Sequence, residues 1–248
     1  MQALIKVSGL KKSYKGNPMP VLKGIDLEIK RGEFFGLLGP NAAGKTTLIS
    51  IMCGLLKITE GKVHIHGQEV GNNNFAIKQL IGLIPQEIAL YPTLTVVENL
   101  RFFGQMYGIR RKALEKRIEE CLELLKLHAH ADKRISNCSG GIRRRANLMC
   151  GLIHSPEIIF LDEPTLGVDA QSMNLIYEYL RKLNSEGTTI IYTTHYMREA
   201  ESLFSRVTII DDGFIIANST PARLLEEHPN CRDLGEVFIK LTGRELRD

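Results

Sequence analysis

The chain has 248 residues, 44% apolar and 24% charged, enough to bury a full core as one large domain or as a core with a lobe. A net charge of +4 is mild for that length and gives no grounds for a nucleic-acid or anionic-lipid partner, since both use a concentrated basic face. The five cysteines, Cys53, Cys121, Cys138, Cys150 and Cys231, are odd in number and never spaced C-x-x-C, which points to reduced cytoplasmic thiols rather than a disulfide framework or a zinc knuckle.

In chain order, residues 3–7 and 25–29 alternate as strands, two antiparallel pieces ahead of the core. Residues 33–38 read as a short buried strand, residues 39–47 as a loop, and residues 48–56 as a helix closed by Gly54 or the turn beyond it. Residues 61–67 alternate again, and residues 81–86 form a buried strand halted by Pro85. Helical periodicity then governs residues 96–107, 111–127 and 142–153. Strands return at 158–161 and 188–192 around a helix at 171–186, and continue through 206–210 and 213–217. A polar helical tail at 222–227 and 235–242 finishes the chain. Around residues 39–47, which match the phosphate-binding pattern G-x-x-x-x-G-K-[ST], the alternation predicts an α/β fold: a phosphate-loop NTPase core, its sheet mostly parallel with helices on both faces, plus an antiparallel β subdomain and a helical lobe. Residues 1–248 are expected to be one ATP-binding domain, with a nucleotide-binding core at 1–86 and 156–220, the helical lobe at 87–155 and a C-terminal helical tail at 221–248.

The loop Gly39-Pro40-Asn41-Ala42-Ala43-Gly44-Lys45-Thr46-Thr47 fits G-x-x-x-x-G-K-[ST] and lies between a strand and a helix, the context that motif requires. There the backbone N–H groups face one hollow at a helix N-terminus and cradle a β-phosphate, Lys45 bridges β- and γ-phosphates, and the Thr46 hydroxyl binds Mg²⁺. The chain is thereby committed to a nucleoside triphosphate. The apolar strand Ile158-Ile159-Phe160-Leu161 ends in Asp162-Glu163, whose side chains strand alternation should send to different sides. Asp162 suits the Mg²⁺ that Thr46 also holds, and Glu163 suits the attacking water, as acceptor of its proton or as its guide. A strand-end acidic pair is commonly just solvated; its partnership with Lys45 gives it meaning. Cys138-Ser139-Gly140-Gly141 opens a helix and offers a second set of bare N–H donors. A structural N-cap accounts for Ser139 but not for two successive residues without a Cβ, which suit close approach of a phosphate.

With these motifs in this order, the chain resembles the ATP-binding subunit of an ABC transporter from Leu4 to its tail. The match includes the phosphate loop, Gln86 as the Q-loop, Ser139-Gly140-Gly141 as the signature, Asp162-Glu163, Leu166-Gly167-Val168-Asp169 as the D-loop and Thr194-His195 as the switch histidine. The resemblance implies ATP and Mg²⁺ as cofactors, with Glu163, His195, Lys45 and Gln86 catalytic and Thr46, Gln86 and Asp162 around the metal. It puts Tyr14 against adenine, where the alternative is a plain surface tyrosine, and it brings Ser139, Gly140, Gly141 and Asp169 to a nucleotide shared between two copies of the chain in a head-to-tail homodimer. Three positions depart from the family pattern: Ala42 for glycine, Cys138 for leucine and Ile142 for glutamine, glutamate or methionine.

The segments 93–100 and 107–108, the triplet Arg143-Arg144-Arg145 and the closing Leu241-Thr242-Gly243-Arg244-Glu245-Leu246 are similar to the multidrug-exporter and nodulation-exporter branch. That implies a separate integral-membrane permease and a peripheral place at the cytoplasmic face of the membrane. No window approaches ~20 continuous apolar residues, so the chain itself is expected neither to span nor to be exported across a membrane. The arginine triplet reads as a solvated helix face, and His64-x-His66 as an exposed strand rather than a metal site. The competing functions are a soluble ABC-superfamily ATPase acting on nucleic acid or ribosomes, and a small-molecule phosphate-loop kinase. The first should carry a long coiled coil or a second cassette, and no nucleic acid is expected; the second leaves Gln86, Ser139-Gly140-Gly141 and His195 unexplained.

Overall fold

A computed structural model describes residues 3–16, 19–71 and 75–243; Met1, Gln2 and the Arg244, Glu245 and Leu246 of the closing motif lie outside them. β1 (Ala3–Lys12) and β2 (Leu22–Lys30) alternate buried and exposed residues and pair antiparallel, with Lys6 opposite Glu28 and Val7 opposite Leu27. β3 (Phe34–Leu38) is buried at every position and runs into the loop before α1 (Lys45–Met52). β4 (Glu60–Ile65) pairs antiparallel with β1. The expected strand at 61–67 stops early because His66, at φ +52, turns the chain into the two-residue β5 (Gln68–Glu69), leaving His66 beside Glu157. α2 (Phe75–Leu80) precedes β6 (Ile81–Ile84).

Three longer helices follow: α3 (Val96–Met106), α4 (Arg111–Leu124) and α5 (Gly140–Leu152), with 3₁₀ turns at His128–His130 and Ile135–Asn137 between the last two. Thr95 and Glu98 make a reciprocal capping box at the start of α3, which sets its first turn. The chain continues through β7 (Ile158–Asp162), α6 (Ala170–Ser185), β8 (Thr189–Thr194), α7 (Met197–Leu203), β9 (Arg206–Asp211), β10 (Phe214–Ser219), α8 (Pro221–Glu227) and α9 (Leu234–Thr242).

The strands form a six-stranded sheet in the order β10-β9-β3-β8-β7-β6, parallel from β9 to β6 with β10 antiparallel at the edge, and a separate antiparallel sheet in the order β2-β1-β4-β5. Alternation along the central strands divides the apolar side chains between two cores. Phe34, Leu38, Ile159, Leu161 and Tyr192 pack with α3 to α9, whereas Phe35, Leu37, Ile158, Phe160 and Ile191 pack with α1 and the antiparallel sheet. Both faces of the parallel sheet are therefore covered, as its continuous apolar runs require. The carboxyl ends of β3, β7 and β8 lie side by side, because Leu38 pairs with Thr194 and Asp162 with Thr193. That is the end of an open parallel sheet where ligands bind.

Candidate active site

At the end of β3 the loop tightens through Ala43 N–H donating to Pro40 O at 3.2 Å. Gly44 is the N-cap of α1 at φ +107, and no side chain caps the helix. A Cβ at Gly44 would also lie 2.7 Å from Leu22 Cδ2, so both conformation and space demand glycine there. Lys45 starts the helix; its Nζ donates to Gly39 O at 2.7 Å and Pro40 O at 3.1 Å and stands 3.7 Å from Glu163 Oε1. Burial pushes the Lys45 ammonium below its ordinary pKa, against the opposing pull of Glu163 and Asp162.

Thr193 on β8 organises the acidic pair. Its Oγ1 donates to Asp162 Oδ1 at 2.6 Å and accepts from Glu163 N at 3.0 Å. Glu163 adopts φ +46, so the divergence of the two carboxylates comes from a left-handed turn at the strand end rather than from continued strand alternation. The Glu163 carboxylate then meets groups from three other segments: Lys45, Gln86 Nε2 donating to Oε2 at 3.5 Å, and His195 Nδ1 at 3.3 Å from Oε1. The His195 contact is close but not aligned as a hydrogen bond, and the ring packs on Tyr196 at 4.2 Å between centroids.

Lys45, Gln86, Glu163 and His195 line a cleft of about 640 Å³ together with the loop residues Asn41 to Thr47, whereas Asp162 and Thr193 are not among its lining residues. Tyr14 stands at its rim, 41% exposed, with Oη 3.3 Å from Thr47 Oγ1 and Lys12 Nζ 5.1 Å from the ring centroid. A larger groove of about 1000 Å³ runs past Lys6, Glu28, Glu33 and Arg206 at the opposite end of β3, but its charges pair with one another, Arg206 with Glu33 and Lys6 with Glu28. Lys45, Gln86, Glu163 and His195 gather in the smaller space.

Ser139, Gly140, Gly141 and Asp169 do not line this cleft. Ser139 caps α5 by accepting from Ile142 N at 3.5 Å, which starts that helix two residues before the expected boundary. Asp169 caps α6 through Ser172 N at 2.9 Å, and this bond holds its carboxyl below the usual range. A Cβ on Gly141 would lie 2.4 Å from Asp169 Oδ2 and 2.5 Å from Ser172 Oγ, so packing inside the chain accounts for that glycine without a phosphate. Gly140 has no such neighbour, its nearest atom being Gly167 O at 3.8 Å.

A profile of the ABC transporter family matches residues 22–166. The chain belongs to that family. This ABC ATPase is 45% identical over 240 residues to the linearmycin resistance ATP-binding protein LnrL of Bacillus subtilis (strain 168), a match covering 96% of this chain and 75% of that protein. It is 37% identical to the Nod factor export ATP-binding protein I of Cupriavidus metallidurans, over 96% of this chain and 78% of that one. Among solved structures, an ATP-binding subunit of an ABC transporter matches with a TM-score of 0.87 at 26% identity, over 96% of this chain and 99% of that chain. A dimeric ATP-binding cassette in a post-hydrolysis state with ADP and Pi matches with a TM-score of 0.79 at 30% identity, over 87% and 98%. As a member of this family the chain binds and hydrolyses ATP.

Two parts of the ABC ATPase site escaped the sequence reading. Thr193 lies one residue past the expected end of the strand at 188–192, which in fact continues to Thr194; its place next to Thr194-His195 was the available signal. The arginine triplet is not a solvated face. Only Arg143 is exposed; Arg144 is 6% exposed and donates through Nη1 to Gln86 O at 2.8 Å and through Nη2 to Leu166 O at 3.5 Å, while Arg145 reaches Leu125 O at 2.7 Å. Burial lowers the Arg144 pKa from its ordinary value. Helical spacing places Arg144 three residues after Gly141 and four before Leu148, both buried, which puts it on the inward face.

Proposed function

We propose that this ABC ATPase powers export through a separate integral-membrane permease at the cytoplasmic face of the membrane, as a head-to-tail homodimer that ATP closes and hydrolysis opens. The observation that carries the mechanism is the convergence of Lys45, Gln86 and His195 on the Glu163 carboxylate beside the phosphate loop. The names of the relatives, linearmycin resistance and Nod factor export, support an exported cargo of drug-like, lipid or glycan character.

In this reading the loop from Gly39 through Pro40, Asn41, Ala42, Ala43 and Gly44 to Thr47 wraps the phosphates, Lys45 turns from the Gly39 and Pro40 carbonyls to the β- and γ-phosphates, and Tyr14 stacks on the adenine. Thr46, Gln86 and Asp162 are oxygen donors of the kind Mg²⁺ takes beside phosphates, and they are the residues that would hold it. When bound, the ion neutralises phosphate charge and fixes the γ-phosphate for in-line attack. Glu163 accepts a proton from the attacking water or orients it, and His195 keeps water and carboxylate in line. Ser139, Gly140, Gly141 and Asp169 serve the nucleotide of the second copy, in keeping with their place outside the cleft of their own chain. The division into a nucleotide-binding core and a lobe at 87–155 gives the motion a path: Gln86 touches Glu163, and five residues on Tyr91 begins an aromatic cluster with Phe102 and Phe103 on α3. Tyr91 and Met106 are exposed, an apolar face suited to a permease segment.

Glu163→Gln tests the core of this reading. The amide keeps the shape of the side chain but cannot take a proton, so turnover should fall by about two orders of magnitude or more while ATP binding persists. Size measurement with ATP should then find a trapped dimer, and without nucleotide a monomer. A variant that stays monomeric with ATP and turns over like the wild type removes Glu163 from its role.

A further inference from the structure

Glu199 is a buried carboxylate, 5% exposed, with no part in the roles assigned above. Its Oε1 accepts from Thr165 Oγ1 at 2.6 Å, from Tyr192 Oη at 3.1 Å and from Tyr177 Oη, and Thr165 and Tyr192 also touch each other at 3.1 Å. Its Oε2 is buried with no hydrogen-bond partner among the described residues. Burial, with the adjoining Glu199 carboxylate as a further cause, holds Tyr177 and Tyr192 above the ordinary phenol range, so both remain hydroxyl donors at neutral pH.

Burying a carboxylate costs stability, and a leucine or methionine would fill the same space without that cost. The placement of the donors suggests what the carboxylate does. Thr165 is two residues beyond Glu163, Tyr192 three residues before His195 on β8, and Tyr177 lies on α6. Glu199 sits in the first turn of α7, four residues beyond His195. His195 itself lies in the two-residue connection between β8 and α7, whose near end is fixed by Tyr196 N donating to Thr194 Oγ1 at 2.9 Å. Its far end is fixed through Glu199. One oxygen atom thus joins the turn that follows Glu163 to the helix that follows His195.

Resting on the roles proposed above for Glu163 and His195, we propose that Glu199 is a positioning residue for ATP hydrolysis: by tying Thr165 and Tyr192 to α7 it holds the His195 imidazole against the Glu163 carboxylate. It touches neither nucleotide nor water. Because its task is to accept hydrogen bonds, its charge is dispensable while its Oε1 is not.

The test is steady-state ATP hydrolysis by the full chain carrying Glu199→Leu, Glu199→Gln, His195→Ala and the Glu199→Leu/His195→Ala pair. Glu199→Leu should lower kcat by about 10–100-fold, the scale of a misplaced catalytic group, with KM for ATP within about twofold of wild type. Glu199→Gln keeps an acceptor at Oε1 and should recover most of that loss. In the His195→Ala background Glu199→Leu should cost nothing further, because the group it places is gone. A Gln variant as slow as the Leu variant, or losses that multiply in the pair, overturns the inference. If Glu199→Leu does not fold, Thr165→Val serves instead: it removes the donor on the Glu163 side, and it too should lower kcat alone and add nothing to His195→Ala, whereas wild-type turnover overturns the inference. The failure of the underlying reading looks different, since His195→Ala would then itself turn over like the wild type.

Discussion

At the start of α1 the chain holds Gly44 at φ +107 against Leu22, while at the start of α5 Gly141 keeps ordinary helical backbone and sits against Asp169 and Ser172. In sequence both are glycines in the opening turn of a helix, and both read as room for a phosphate. In the first case the left-handed conformation belongs to the loop itself, and the crowding comes from Leu22 at the start of β2. In the second, the crowding comes from the N-cap of a neighbouring helix, and the residue without an internal neighbour is Gly140. A bare helix start therefore has two separable causes, and the exposed Ser139-Gly140 edge is the part left to face something outside the chain.

The sharpest way to break this contrast is to separate the two helix starts between chains. Lys45→Ala removes the loop cation and Ser139→Arg blocks the signature edge, so each alone should abolish ATP-dependent dimers and turnover. Mixed together, the two variants form heterodimers in which one nucleotide site has both parts intact and the other has both broken. If the sites are shared, mixing should restore nucleotide trapping at one site per heterodimer; if each chain keeps its own site, every site still carries one defect. Sizing and bound-nucleotide counts on the mixture distinguish these. No recovery on mixing would remove the shared site.

How much of this was legible in the sequence follows from where each constraint acts. β3, the loop and β7 were readable because a strand buried on both faces must be apolar throughout, and because the loop's chemistry lies in nine consecutive residues. β5 and α2 were missed as elements too short for a periodic signal, and α7 for the same reason, with only Met197, Ala200 and Leu203 on its buried stripe beside Glu199. Arg144 was misjudged because its partners are main-chain carbonyls of Gln86 and Leu166, 58 and 22 residues away, to which local composition is blind. Glu163 reaches the cleft through a left-handed turn held by Thr193 on another strand, not through the strand alternation that the sequence suggests, because the partner that sets the turn is 30 residues away.

A second, smaller effect probes the signature side of the contrast in the nucleotide-free chain. Gly141→Ala drives a methyl to within 2.4 Å of Asp169 Oδ2, so either the cap of α6 opens or the helices part. The expected loss is about 1–3 kcal/mol, the usual cost of overpacking, which corresponds to roughly 2–10 °C in thermal midpoint for a chain of this size. Gly140→Ala should leave the midpoint unchanged to about 0.5 kcal/mol, because it introduces no close contact, and should show its effect only in ATP-dependent dimerisation. Equal melting of the two variants would mean that Asp169 and Ser172 do not set the need for glycine.

The smallest effect is expected at Ala42, and it separates conformation from crowding inside the phosphate loop. Ala42 is exposed and sits at φ +66, a left-handed conformation that costs an alanine about 1–2 kcal/mol. Ala42→Gly removes that strain but also gives the unfolded chain more freedom, worth about 0.4–1 kcal/mol in the other direction. The net outcome should be a stabilisation of between zero and about 1.6 kcal/mol, with ATP affinity unchanged or slightly better because the loop conformation is already present in the alanine form. Gly44→Ala is the contrasting variant: its methyl would meet Leu22 Cδ2 at 2.7 Å in addition to the unfavourable φ, so stability and ATP binding should both suffer. Thermal melts and ATP titrations on the two variants are sufficient. If Ala42→Gly destabilises the chain, the methyl at position 42 makes a contact that outweighs its strained backbone, and the loop's tolerance of a departure from glycine there comes from packing rather than from a modest conformational cost.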